Sequence, residues 1–268
     1  MEFSTSARVS LSKKVSEDAM VVNNEINVYG VFDGATPITP FKNADGMNGA
    51  YIASNLFRKY FENHFRAEMT LSEGIILANR RLMKEMKLNN IDINCPEELW
   101  STCVAVIKIE KYKVSFAQLG DCMILAENYN GEIKILTKDT VKDISTRAKM
   151  RREKERKQGL NLPDESYYQS IKNQLIYNRS MANTVDGYSV ANGTEVVANY
   201  IQLGSIDTKH LKSILLISDG LFHPKFDLIH SFKVIREIGL EDYSKRIEME
   251  ELKSKIHSDD KTGIYIRF

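Results

Sequence analysis

The stretch Val28-Tyr29-Gly30-Val31-Phe32-Asp33-Gly34-Ala35-Thr36-Pro37 constrains this chain more than any other. Apolar, β-favouring residues run up to one carboxylate, so a buried strand would deliver Asp33 to a sheet edge. Gly34 lets backbone approach whatever Asp33 holds, and Pro37 stops further sheet pairing. The same device returns as Ile214-Leu215-Leu216-Ile217-Ser218-Asp219-Gly220. Asp-Gly is common turn chemistry, and one copy alone says little. Two copies, each closing an apolar run, point to two carboxylates converging on one cation site.

The 268 residues can bury a full core without disulfides or structural metal. No internal repeat or low-complexity linker divides them, so residues 1–268 read as one domain. A formal net charge of +1 supplies no global field for nucleic acid or an anionic membrane. No run approaches the about 18 apolar residues of a membrane span, and the first residues lack an apolar signal region. Cys95, Cys103 and Cys122 form neither a paired framework nor a CxxC motif, which fits a reducing cytoplasm. Cys103 reads as a small buried hydrophobe.

Strand-like stretches cover 3–10, 19–23 and 26–33, and helical spacing covers 49–67 and 71–88. Strands return at 102–109, 114–119, 123–126 and 133–136, with Asn130-Gly131 turning the second hairpin. Residues 139–158 read as a charged helix, and 159–194 as the least regular part. Strands at 196–203 and 214–217, helices at 226–238 and 241–257, and a strand at 263–268 close the chain. This order departs from strand–helix alternation and predicts antiparallel sheets with helices outside.

Carboxylates sit at strand ends or turns in Glu17-Asp18, Asp33-Gly34, Gly120-Asp121, Asp219-Gly220 and Asp259-Asp260. Clustered carboxylates repel unless cations neutralise them, and all-oxygen donors select hard ions such as Mg²⁺ or Mn²⁺. Two such ions about 4 Å apart can lower the pKa of a bridging water, and the resulting hydroxide can attack phosphorus in line.

These motifs resemble, in order and over nearly the whole chain, those of the protein phosphatase 2C-like family of metal-dependent Ser/Thr phosphatases. The resemblance rests on Glu17-Asp18-Ala19, Val31-Phe32-Asp33-Gly34, Ser101-Thr102, Leu119-Gly120-Asp121-Cys122, Leu216-Ile217-Ser218-Asp219-Gly220-Leu221-Phe222 and Ser258-Asp259-Asp260-Lys261-Thr262. It implies an α+β, four-layer αββα sandwich, with a variable flap insert at about 139–194. It implies that Asp33 bridges two Mg²⁺ or Mn²⁺ ions. Asp219 and Asp259 would complete the first, and Glu17 and the Gly34 carbonyl would serve the second, partly through water. Asp121 would support a weaker third ion with Asp219. The implied partner is a phosphorylated protein substrate, with no nucleic acid and no membrane, and the implied state is a monomer.

Three departures qualify the resemblance. Lys13, four residues before Glu17, stands where the family usually has a phosphate-binding arginine, and lysine binds phosphate only as a point charge. Ala35 stands where the family commonly has a histidine general acid. Losing such a donor slows turnover by roughly 10²–10⁴ when the leaving group is poor. His223 follows the second Asp-Gly motif and reads either as a replacement acid or metal ligand, or as a surface histidine. The basic stretch 147–157 reads either as a solvated helix or as a docking surface for an acidic phosphoprotein. The expected function is Ser/Thr phosphoprotein hydrolysis. A non-catalytic module that binds phosphorylated partners is the alternative, and small phosphate esters are a weaker substrate class.

Overall fold

The computed structural model describes residues 1–268. Its strands are β1 (Glu2–Arg8), β2 (Ala19–Asn23), β3 (Val28–Gly34), β4 (Thr102–Ile109), β5 (Lys113–Leu119), β6 (Met123–Asn128), β7 (Ile133–Ile135), β8 (Gln202–Asp207), β9 (Leu211–Ile217) and β10 (Lys261–Arg267). Its helices are α1 (Gly49–Asn63), α2 (Leu71–Leu88), α3 (Ile144–Lys157), α4 (Ile171–Ser180), α5 (Leu228–Ile238) and α6 (Leu240–Ser254). The strands form two antiparallel sheets, ordered β1-β10-β9-β6-β7 and β2-β3-β4-β5-β8. Helices α5 and α6 cover the first sheet, and α1 and α2 cover the second. The result is the α+β, four-layer αββα sandwich.

Side-chain alternation explains the unbroken apolar runs. Along β3, Tyr29 and Val31 enter the core between the sheets, while Val28 and Phe32 pack beneath α1 and α2. Along β9, Ile214 and Leu216 face between the sheets, while Leu215 and Ile217 meet α5 and α6. Each strand is buried on both faces, so neither shows the polar alternation of a half-exposed strand. A period of two then places Asp33 on the face of Tyr29 and Val31, at the rim of the space between the sheets.

Two stretches differ from their sequence patterns. Residues 159–194, expected to be irregular, contain a 3-10 turn at Glu165–Gln169 and the helix α4. The sequence of α4 has little apolar periodicity. It is held instead by contacts to α3, including Tyr177 Oη donating to Glu155 at 2.8 Å. Residues 196–203, expected as a strand, split into a 3-10 turn at Glu195–Asn199 and the start of β8. Val197 there packs into the α1–α2 core, and Asn79 Nδ2 donates to Thr194 O at 2.9 Å, fixing the turn.

The basic stretch 147–157 serves largely as internal framing. The Arg152 side chain is only 2% exposed and donates from Nε and Nη2 to Glu165 at 3.0 and 2.9 Å. Its guanidinium lies 4.0 Å from the Tyr168 ring centroid and 4.8 Å from that of Tyr177. Arg156 pairs with Glu165, Arg151 pairs with Glu155, and Arg147 donates to the carbonyls of Thr140, Lys142 and Gly187. Lys149, Lys154 and Lys157 remain exposed. Arg152, buried within the flap, is not available to a docking surface, whereas the Arg151 side chain stays 30% exposed.

Arg152→Ala should lower the unfolding free energy in urea by about 1–3 kcal/mol, since it removes two charge-assisted hydrogen bonds to a partly exposed Glu165. Lys154→Ala should change it by less than about 0.5 kcal/mol. Equal effects of the two would contradict the framing role.

Candidate metal centre

The rim beyond β3 and β9 opens into a cleft of about 220 Å³ whose wall includes Asp33, Gly34, Asp121, Asp219 and Asp259. Each carboxylate has its own structural reason to be there. Asp33 pairs with Cys103 across the β3–β4 ladder, and Thr102 Oγ1 donates to Asp33 O at 2.8 Å. A Cβ on Gly34 would stand 2.6 Å from Glu17 O and would collide with Ala50 O, so only glycine brings these backbones together. Gly120 holds a φ of +84° beside Cys103, in the left-handed region, and so turns β5 sharply into Asp121. Asp219 opens a 3-10 turn directly after β9 and Ser218.

The acidic motif before β2 divides its two carboxylates between different tasks. Asp18 receives Ser218 Oγ at 2.7 Å and lies close enough to Asp33 to act on its charge. Glu17 instead accepts from Lys13 Nζ at 2.8 Å, from Thr36 Oγ1 at 3.2 Å and from Asn48 Nδ2. Glu17 thus stands one step from the cleft, sharing Lys13 Nζ with Asp259, while Asp18 acts directly on Asp33. Met20 and Val22 pack toward the space between the sheets, and Asp18 shares their face at a spacing of two. That periodicity was the sequence feature that separates the two acids.

Asp259 and Asp260 divide in a similar way. Asp259 lines the cleft. Asp260, 1% exposed, accepts from Ser10 N and Glu17 N, both at 2.8 Å, and from Lys13 Nζ at 3.0 Å. It ties the segment 10–17 to the end of α6 and β10 rather than facing the cleft.

Burial and mutual repulsion dominate the electrostatics of Asp18, Asp33, Asp121 and Asp219. Burial pushes Asp18 and Asp121 up to about 8, assisted for both by the charge of Asp219. Burial also raises Asp33 well above the usual carboxylate range, reinforced by Asp18, Asp219 and Asp121. Asp219 is raised by burial too. Its Oδ1 is sealed from solvent and has no hydrogen-bond partner. An orphaned buried carboxylate oxygen among like charges is the donor arrangement a hard divalent cation satisfies. The carboxylate oxygens of Asp33 and Asp121 and the Cys122 sulfur lie within 4.8 Å of one another. The residues therefore fit a metal centre.

Lys13 lines the cleft, although its ammonium is bound to Glu17, Asp259 and Asp260. His223 does not reach the cleft. The 3-10 turn at Asp219–Leu221 carries the chain away, and the imidazole stacks on Phe226 at 4.2 Å, with Nδ1 accepting from Lys225 N. The ring is half-buried against Phe226, outside the residues that line the cleft. Arg179 and Tyr188, from the flap, complete the cleft wall. A larger groove of about 880 Å³ lies along α1 and α2. Its lining mixes the carboxylates Asp45 and Glu85 with the cations Lys59, Arg81 and Lys84 and gathers no acidic cluster.

The protein phosphatase 2C family model matches residues 12–255. No curated protein sequence matches the chain. Among solved structures, the serine/threonine phosphatase Stp1 from Staphylococcus aureus aligns with a TM-score of 0.60 at 16% identity, covering 100% of this chain and 94% of that one. PppA of Pseudomonas aeruginosa, described as a regulatory component of T6SS, gives 0.61 at 17% identity, covering 99% and 96%. The catalytic domain of the phosphatase PstP, in complex with two manganese ions, gives 0.61 at 15% identity, covering 98% and 96%. At these identities the structural likeness concerns the fold.

The raised carboxyls set a pH dependence. A group with pKa about 8 when folded and about 3.9 when unfolded holds its proton more tightly in the folded state. Its stabilising contribution is complete below about pH 4 and disappears as pH rises through about 8. In chelator, the melting temperature should fall between pH 5 and 8.5. Mn²⁺ should raise it, and by more at pH 8.5 than at pH 5, because protons and metal compete for the same oxygens. A melting temperature in chelator that is flat or rising over this range would contradict the clustering.

Proposed function

The chain belongs to the protein phosphatase 2C family, and on that premise we propose that it is a divalent-metal-dependent phosphoprotein phosphatase acting on phosphoserine and phosphothreonine. The observation that carries this reading is the group of half-buried carboxylates around Asp33, joined by buried Asp18, with Asp219 Oδ1 unpartnered. Asp33, Asp219, Asp259, Glu17 and the Gly34 carbonyl would hold a pair of Mg²⁺ or Mn²⁺ ions, Glu17 through water. Asp18 flanks them, and Asp121 offers a donor for a third. Bound ions of this kind supply the positive charge that offsets phosphoryl oxygens and makes a water nucleophilic at neutral pH.

The chain's own residues account for the rest. Asp33 lies between Asp18, Asp121 and Asp219, so one carboxylate can serve more than one cation. Asp260 fixes the segment carrying Lys13 through backbone hydrogen bonds at Ser10 and Glu17, which holds the cleft's shape without a ligand. Ala35 lines the cleft and brings no ionisable hydrogen. With Ala35 in the cleft and His223 packed on Phe226, water supplies the proton to a departing alkoxide in this reading.

The alternative, a phosphate-recognising module without turnover, draws on that same lack of an acid. One assay separates the two readings. With Mn²⁺, the wild type should release phosphate from a phosphothreonine peptide, and chelator or Asp33→Asn should reduce release at least about 10²-fold. Aryl phosphates, whose leaving group needs little protonation, should turn over roughly 10²-fold or more faster than phosphoserine peptides. His223→Ala should leave the ratio of the two rates unchanged. Absence of metal-dependent release from both substrate classes would leave the binding-module reading in place.

A further inference from the structure

Two cationic side chains line the cleft, Lys13 and Arg179. An ammonium has three N–H donors. Those of Lys13 meet Glu17 Oε2 at 2.8 Å, Asp259 Oδ1 at 3.1 Å and Asp260 Oδ2 at 3.0 Å. A phosphoryl group arriving at Lys13 would have to displace one of these carboxylates.

Arg179 is placed differently. It sits in the last turn of α4, in the flap, and reaches back across the cleft. Its Nη1 donates to Ser101 Oγ at 2.7 Å, and its Nη2 donates to Thr36 O at 2.8 Å. Both partners are neutral oxygens, so they fix the guanidinium without neutralising it. A guanidinium has five N–H donors, and at least two are left after these two bonds and the neighbouring Tyr188 hydroxyl. Thr36 lies three residues beyond Asp33, so the charge is held beside the carboxylate floor by the same loop that leaves it. A planar fork with spare donors matches two oxygens of a phosphoryl group in a way a lysine does not.

We propose that Arg179 is the residue through which this protein binds the phosphoryl group of its substrate, so that the phosphate-gripping charge comes from the flap and not from the strand-end Lys13. This rests on the phosphatase reading above and adds a dependence to it. The flap must be docked for phosphate to bind. The Arg152–Glu165 and Tyr177–Glu155 contacts that frame α3 and α4 therefore act on substrate affinity from outside the cleft.

A purely structural role for Arg179, as a clasp between flap and loop, is the competing account, and Ser101→Ala separates the two. That variant removes one clasp bond and leaves the charge. The experiment titrates inorganic phosphate calorimetrically into Mg²⁺-loaded wild type, Arg179→Ala, Arg179→Lys and Ser101→Ala, after a Mg²⁺ titration of each. Arg179→Ala should weaken phosphate binding about tenfold or more, the scale of losing charge-assisted hydrogen bonds. Arg179→Lys should fall between it and wild type, Ser101→Ala should lose no more than about threefold, and Mg²⁺ affinity should be unchanged throughout. Phosphate affinity of Arg179→Ala within twofold of wild type would overturn the proposal. So would an equal loss in Ser101→Ala, or a wild type that binds no phosphate. The titration needs no turnover. A wild type that hydrolyses nothing, yet loses phosphate affinity with Arg179→Ala, would remove the phosphatase reading and leave the phosphate site standing.

Discussion

Like charges held out of water dominate the energetics at one end of this sandwich. Asp18, Asp33, Asp121 and Asp219 meet where β3 and β9 leave the space between the sheets, and burial raises the proton affinity of all four. A folded chain can enclose such a group only with protons or cations present. The apolar strands supply the rigidity this requires. Tyr29 and Val31 on one sheet, and Ile214 and Leu216 on the other, share one interior whose rim carries the carboxylates. The strain of gathering charge is thus carried by the most buried part of the fold.

Around that centre, hydrogen bonds sort acids into two kinds. Asp260 and Glu17 have protein partners and hold backbone or Lys13 in place. Asp33 and Asp219 face one another and the cleft, and Asp219 Oδ1 lacks a partner. The flap adds a wall of opposite character. Arg152 pairs with the Glu165 carboxylate and stacks on two tyrosines, while Arg179 ends on neutral oxygens at the cleft. Two arginines of one insert therefore have different electrostatic standing, one spent on structure and one with charge to spare.

Much of this was legible in the sequence. The apolar runs ending at Asp33 and Asp219 identify strands buried on both faces, and their carboxylates could only emerge at a rim. Asp18 was separable from Glu17 by its spacing of two from Met20 and Val22. Other features carried no local trace. The packing of His223, four residues after Asp219, on Phe226 follows the turn at Asp219–Leu221 and leaves no local pattern in the sequence. Helix α4 has weak periodicity because tertiary contacts with α3, not an apolar stripe, hold it. Arg179 depends on partners 78 and 143 residues away, Ser101 and Thr36, and no spacing rule joins such positions.

On the proposed function, Asp33 joins cations within one shared carboxylate cage. Electron paramagnetic resonance of the Mn²⁺-loaded protein at low temperature tests it without any substrate. The wild type should show the multiline spectrum of exchange-coupled Mn²⁺ ions, and Asp33→Asn should show only the six-line spectrum of isolated ions or none bound. A wild-type spectrum of isolated Mn²⁺ at saturating metal, or a coupled spectrum that survives Asp33→Asn, would contradict the account.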